Sequence, residues 1–430
     1  MKKRKIISFL LAFFFLFSSL RAGAKCAECL ICSALAEDGF PPSYRTALCA
    51  LKREYPAWRF IPLFVTALSR EKGEAYTFSY VLDQECRAAR SLVSPKEAYA
   101  PYWGSTEKLY DRGFYQASRE AVAYFLDPRN FLSQEDIFQF FLLTGGENTT
   151  KEEVEAVLRG CVGENFVTRE GKSLAQVLLE AGRAFGVHPL HLAARFRQEQ
   201  GQEGNALFWG NAGETVGDES FSGLFNPFNL SAAGTGEGEI LRSGARYAEK
   251  MGWDSLEKGL FFGAEVLATE YVSSYQNTLY LQKWNVDPRS ENDAGSRNFW
   301  AQYMQNIGGA KTEGAYLSSV LAGGEGEKVF LIPVYDEMPE ENSPDPAGGE
   351  CALFASSPVK NSLHLYKEEE GGEKEILVAA SSAPREKREW RLPPLAFLLP
   401  PLLAAGVIFS GKRAKRVKKR ERLLPDGGRK

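Results

Sequence analysis

The chain has 430 residues and a formal net charge of −3, with 52 lysines and arginines against 55 aspartates and glutamates. The first 24 residues carry a net five cations and residues 411–430 a net eight, so the stretch between them sits at roughly −16, which excludes a polyanion such as nucleic acid as its partner. That stretch is longer than one typical domain of ~100–200 residues, so two cores are expected, and an odd total of seven cysteines leaves at least one thiol unpaired within the chain.

The N-terminus begins Lys2, Lys3, Arg4, Lys5, continues as an apolar run over 6–20, and presents Ala22 and Ala24 at the spacing signal peptidase reads. Residues 1–24 are therefore expected to be an export signal. Cys26, Cys29 and Cys32 follow as CxxCxxC, but no second cluster matches them, and no metal or other cofactor is expected.

Residues 39–146 are read as an accessory domain. PPSYRTALCALKREYP predicts a helix bracketed by prolines, and AWRFIPLFV a strand rich in aromatic and branched residues. After a loop over 91–113, YQASREAVAYFL has helical periodicity, and Ser133 with Asp136 predicts a capped helix in SQEDIFQFFLL. The aromatics fall at helical spacing and read as core; no catalytic constellation is visible.

Residues 150–335 are read as a second domain. Thr150 with Glu153 caps a helix ending at Gly160, Ser173 with Gln176 caps another ending at Gly186, and Pro189 opens a third that runs to Glu199. The hairpin so formed delivers one carboxylate to a surface. A negative charge at a helix C-terminus is opposed by the macrodipole, so Glu199 is either neutral or has a task. His188 and His191 stand about one turn apart with no third ligand, which reads as capping or packing.

Residues 200–223 are rich in Gly, Asn, Thr and Ser, include Glu214, Asp218 and Glu219, and predict an irregular or β-hairpin lobe. A helix is expected near 239–251, and Asp254 with Glu257 caps a longer one to about 275. QNTLYLQKWNV reads as a loop, RNFWAQYMQNI as a short helix, and EKVFLIPVYDEMPEE as a strand closing the fold. Residues 342–391 are a Pro-, Gly-, Ser- and Glu-rich linker. Residues 392–410 are apolar and about long enough to cross a bilayer, despite Pro393, Pro394, Pro400 and Pro401, and the basic tail 411–430 places the cytoplasmic side. The expected arrangement is an exported, single-pass protein with its body outside, beside which a membrane-protein partner would sit.

Helices around one polar hairpin, with a Glu at its entrance, are how lysozyme-type enzymes frame a sugar cleft. From about 173 to 321 the chain resembles the bacterial glucosaminidase domain, glycoside hydrolase family 73, of peptidoglycan hydrolases. RFRQEQG is similar to the motif that ends in the family's catalytic Glu, LFNPFNLSA to its aromatic and Asn motif, and YQNTLYLQKWNV to its Tyr-bearing loop. The preceding stretch, with FPPSYRTALCALKREYPAW and FYQASREAVAYFLDPRNFL, resembles the segment that accompanies such domains in cell-surface glucosaminidases. Pro227 stands where an aromatic is usual and Tyr275 where Gly is usual.

The resemblance implies a mostly α fold with a small β-hairpin lobe, that is, a lysozyme-like catalytic domain plus an α+β N-terminal domain. It implies an endo-β-N-acetylglucosaminidase acting on peptidoglycan glycan strands, with Glu199 as general acid and Tyr280 as a helper near the scissile bond. Glycosidic cleavage needs a proton on the leaving oxygen and stabilisation of an oxocarbenium-like transition state. For Glu199 to hold that proton, apolar walls are required, and Phe196, Leu207 and Phe208 are candidates. Asp218 or Glu219 could activate water, or the substrate's 2-acetamido group could attack instead. Asn226, Asn229 and Gln276 suit hydrogen bonding to acetamido and hydroxyl groups, and Phe228, Trp284 and Tyr303 suit stacking on sugar faces. The alternatives are a lytic transglycosylase and a non-catalytic wall-binding protein.

Overall fold

The computed structural model describes residues 30–348, except 67–72, 74–75, 97–99, 109–112, 235, 271, 293–297, 300–301, 303 and 325. The expected signal, the linker beyond 348, the apolar span and the basic tail lie outside the described residues.

Helix α1 (Pro42–Glu54) starts on a proline, which has no amide hydrogen to leave unpaired, and buries Tyr44, Leu48 and Leu51 on one face. Cys32 and Cys49 are joined as a disulfide, while Cys86 and Cys161 are free. Strand β1 (Trp58–Val65) is the strand expected from AWRFIPLFV, and it pairs in parallel with β5 (Lys328–Tyr335), from Trp58 opposite Lys328 to Val65 opposite Tyr335. The last strand therefore builds its sheet with the first segment of the chain. Pro62 and Pro333 are tolerated because a two-stranded sheet is all edge. A second, antiparallel sheet has the order β2 (Leu92–Val93), β4 (Tyr115–Ala117), β3 (Gly104–Lys108).

The helices α2 (Phe78–Glu85) and α3 (Arg119–Leu126) are capped by Thr77 and Ser118. Ser133 does cap the amide of Asp136, but only a 3-10 turn, Ile137–Phe140, follows instead of the expected helix. All four of its residues are buried, and the amides just beyond bond away from any helix, Leu142 N to Val329 O and Leu143 N to Asn277 O.

Helices α4 (Lys151–Leu158), α5 (Leu174–Phe185) and α6 (Pro189–Gln200) lie where the caps place them: the Thr150–Glu153 capping box is complete, Ser173 Oγ accepts from Gln176 N, and Gly186 ends α5 at φ 72°. Of the irregular or β-hairpin lobe expected over 200–223, the hairpin does not form; the segment is built of short helical turns. Two short helices, α7 (Ala206–Trp209) and α8 (Ala212–Val216), are each stopped by a left-handed glycine, Gly210 and Gly217, and a 3-10 turn, Glu219–Phe221, follows. The glycines that suggested hairpin turns are helix C-caps.

Helix α9 (Glu237–Met251) precedes α10 (Leu256–Glu270). The cap of α10 is Ser255, whose hydroxyl accepts from Lys258 N, whereas Asp254 pairs with the Lys258 ammonium at 2.6 Å. The expected QNTLYLQKWNV loop contains helix α11 (Leu279–Trp284), capped by Thr278 and buried at every position. No helix forms among the described residues of RNFWAQYMQNI; α12 (Gly309–Leu321) follows it.

One hydrophobic cluster runs from Leu35 to Tyr335 through both expected domains, with Trp58 edge-on to Phe138 at 5.5 Å and 5.0 Å from Phe330. A second, small cluster of Leu207, Ala212, Phe221, Ala232, Leu241 and Ala245 holds the lobe. Among the described residues these two clusters separate the main body from the lobe. A buried ion pair, Lys283 Nζ to Glu85 at 3.5 Å with both side chains fully enclosed, ties α11 to α2.

Candidate active site

Helix α6 ends directly after Glu199 because Gly201 adopts φ 56° and ψ −143°, a conformation that favours glycine. The buried side chain of Gln200 then locks the exit: its Nε2 donates to Pro227 O at 2.7 Å and its Oε1 accepts from Asn205 N at 3.0 Å. The Glu199 carboxylate, 12% exposed, accepts from Arg195 Nη2 at 3.0 Å and from Asn229 Nδ2 at 2.9 Å. Asn205 Nδ2 donates to Asn229 Oδ1 at 2.9 Å, which fixes the amide so that its NH₂ faces Glu199. Asn229 sits at φ 49°, a left-handed conformation that asparagine tolerates better than most residues.

Asn226 shapes this loop from beneath. Its Nδ2 donates to Leu230 O at 2.8 Å and Gly244 O at 3.1 Å, and its Oδ1 accepts from Leu230 N at 2.9 Å. Fully buried and bonded through both ends of its amide, it supports Asn229 and does not face a sugar. The expected walls, Phe196, Leu207 and Phe208, are fully buried; Phe196 meets Phe208 edge-on at 5.6 Å beneath α6 and α7.

Several expected contacts are core instead. Phe228 is buried against Gly263 of α10, where an added Cβ would come within 2.7 Å of its ring. Gln276 and Trp284 are buried as well. Tyr280 does not reach Glu199: its ring is fully enclosed, and its hydroxyl lies 2.6 Å from both Leu126 O and Tyr335 Oη. Burial pushes both phenols well above their ordinary range, so they stay neutral donors and acceptors. Tyr303 lies outside the described residues. Tyr280→Phe is accordingly expected to lower stability by about 1–3 kcal/mol through the two oxygens left unpartnered, with kcat of the folded molecule nearly unchanged. Thermal denaturation and turnover measured together check it; a roughly hundredfold fall in kcat at full stability would restore the catalytic reading.

Asp218 and Glu219 are exposed on the lobe. Asp218 Oδ1 accepts from Ser220 N at 3.1 Å and Ser220 Oγ at 2.7 Å, bonds that hold its carboxyl below the usual range. Ser222 Oγ donates to Glu219 at 3.3 Å. Both acids thus serve turns of their own segment. The histidines behave as expected of packing residues: burial holds both neutral, His188 pushed down to about 4 and His191 to about 3, and His188 Nδ1 caps α6 by accepting from Leu190 N.

Two groups at the site were missed. Arg195 lies one turn before Glu199, an i, i+4 spacing visible in the sequence. Glu313 approaches Arg195 Nη1 at 3.9 Å from α12, and no local signal could have placed it there.

Among the described residues the chain is largely helical with a small β component. Over 200 residues it is 26% identical to the bifunctional autolysin of Staphylococcus aureus, a match covering 46% of this chain and 15% of that protein. The matched region is thus a small fraction of the curated relative's length. Among solved structures, the major bifunctional autolysin aligns at 18% identity over 64% of this chain and 98% of its own, with a TM-score of 0.44. Glucosaminidase B of S. aureus aligns at 20% identity over 65% and 94%, with a TM-score of 0.45. No protein-family model matches the chain.

Proposed function

We propose that this protein is a glycoside hydrolase of peptidoglycan, an endo-β-N-acetylglucosaminidase that cleaves the β-1,4 bond after N-acetylglucosamine in glycan strands. The observation that carries the reading is the Glu199 carboxyl, delivered at a helix end by Gly201 and held by Asn229 and Arg195, in a chain homologous to an autolysin. Glu199 protonates the leaving sugar oxygen as the bond breaks. Asn229 fixes one carboxyl oxygen and Arg195 the other, which together orient the carboxyl group.

The anomeric carbon then needs a nucleophile. Asp218 and Glu219 turn their oxygens to serines of their own segment, which supports attack by the substrate's acetamido group and retention. Glu214→Ala, Asp218→Ala and Glu219→Ala are each expected to stay within roughly tenfold of the parent rate. A severe loss in one of them, partly rescued by azide, would assign that carboxylate as the base.

Mass analysis of a digest of purified glycan strands tests the activity. Hydrolysis leaves a reducing N-acetylglucosamine; an anhydromuramyl end would mean a lytic transglycosylase, and no cleavage a wall-binding protein. Export through 1–24 and anchoring through 392–410 belong to the same proposal. Protease added to intact cells is expected to release a soluble catalytic body and spare the basic tail; release by high salt alone would contradict a spanning helix.

A further inference from the structure

The Arg195 guanidinium has two carboxylates, not one. Its Nη2 lies 3.0 Å from Glu199 and its Nη1 3.9 Å from Glu313, and the three side chains are 14%, 12% and 20% exposed. Glu199 and Arg195 come from α6; Glu313 comes from α12, which Tyr316 holds against α6 by donating to Ala194 O at 3.3 Å. With both carboxylates ionised the cluster is net negative in a place with little water. Burial, and secondarily the charge of Glu199, push the Glu313 carboxyl upward against the pull of Arg195.

This arrangement answers a difficulty in the proposed chemistry. An arginine at i−4 is a built-in partner that, acting on Glu199 alone, favours the ionised form, and an ionised carboxylate cannot protonate a leaving group. We propose that Glu313 is a positioning residue for Glu199: by sharing the Arg195 guanidinium, it leaves one negative charge of the cluster uncompensated, and the cluster holds a proton there for the leaving sugar. The inference rests on the glycosidase reading for its purpose, though not for its geometry.

The surrounding groups do not compete for that proton near neutrality. On α6, burial keeps His191 neutral, and Arg197 is spent on the carbonyls of Val157 and Arg159. On α12, Lys311 pairs with Asp136 at 3.2 Å, and burial pushes the Tyr316 phenol up to about 12. Beyond α4, burial raises the Cys161 thiol. Asn229, from the loop, carries no charge.

The test is kcat/KM against pH on purified glycan strands for the full chain and for Glu313→Gln and Glu313→Asp. In Glu313→Gln the alkaline limb is expected to move down by ~1 pH unit, with kcat at pH 7 falling about tenfold and KM little changed. Glu313→Asp, which keeps the charge, should retain the parent limb. An unmoved limb in a Glu313→Gln protein that melts cooperatively would leave Glu313 a structural residue and overturn the proposal. Should that variant not fold, Arg195→Gln reads the same coupling from the cation, and its limb should move up; an unmoved limb there overturns the proposal equally. Failure of the glycosidase reading appears separately, as an inactive parent or an active Glu199→Gln. In that event ¹³C titration of the Glu313 carboxyl still decides the coupling: its midpoint should fall in Glu199→Gln, and an unchanged midpoint sinks it.

Discussion

Glu199→Gln is expected to lower muropeptide release roughly a thousandfold or more while leaving the protein folded. Glutamine fills the same volume at the end of α6 but has no acidic proton to give to the leaving oxygen. Its effect on stability should be small. Arg195 Nη2 and Asn229 Nδ2 both donate toward the present carboxylate, and the replacement amide can accept from only one of them, since its NH₂ must face the other. One opposed donor at a partly exposed site costs on the order of 1 kcal/mol, well within the stability of an ordinary domain. Circular dichroism and a melting curve verify the fold, and a muropeptide assay the loss. A folded variant with most of its activity would end the assignment of Glu199 as the acid.

What could be read from the sequence around Glu199 was local. Helices α4 to α6 are framed by signals that lie within a few residues of the boundaries they set: the Thr150–Glu153 box, the Ser173 cap, the left-handed Gly186, and Pro189 in the first turn. Asn229 is 30 residues from the carboxylate it holds, and the resemblance suggested it where periodicity could not. Helix α11 is buried on every side; with no solvent-exposed face, and with Gln282 and Lys283 buried too, it has no amphipathic period to detect, and its amides and aromatics read as a binding loop. That misreading also put Gln276, Tyr280 and Trp284 in a cleft when they are core. In the lobe, glycines that terminate helices look in sequence like those of hairpin turns, since both uses need the same positive φ. Glu313 and the β1–β5 pairing are long-range placements, and no window of sequence contains both members of either pair.

A fragment of residues 150–335, the catalytic domain as the sequence divides it, is expected not to fold cooperatively. It retains Glu199, Asn229, Arg195 and Glu313, so the site residues alone would predict activity. The interior predicts otherwise. Strand β5 loses β1, its partner along eight residue pairs, and presents an unpaired apolar edge. Trp58 leaves Phe330, and the amides of Leu142 and Leu143 no longer reach Val329 and Asn277. Lys283, fully enclosed, loses Glu85, and an uncompensated buried cation costs about 3–5 kcal/mol. The Tyr280 hydroxyl loses the carbonyl of Leu126, for about 1 kcal/mol more. These losses alone approach the ~5–15 kcal/mol by which a whole domain is stable, before the exposed aromatic core is considered. The fragment should bind a hydrophobic dye, melt without a sharp transition and release no muropeptides, whereas residues 30–348 should do the reverse. A cooperative transition and near-parental activity from 150–335 would show that the first segment is an accessory after all, and that the shared core is dispensable for the chemistry.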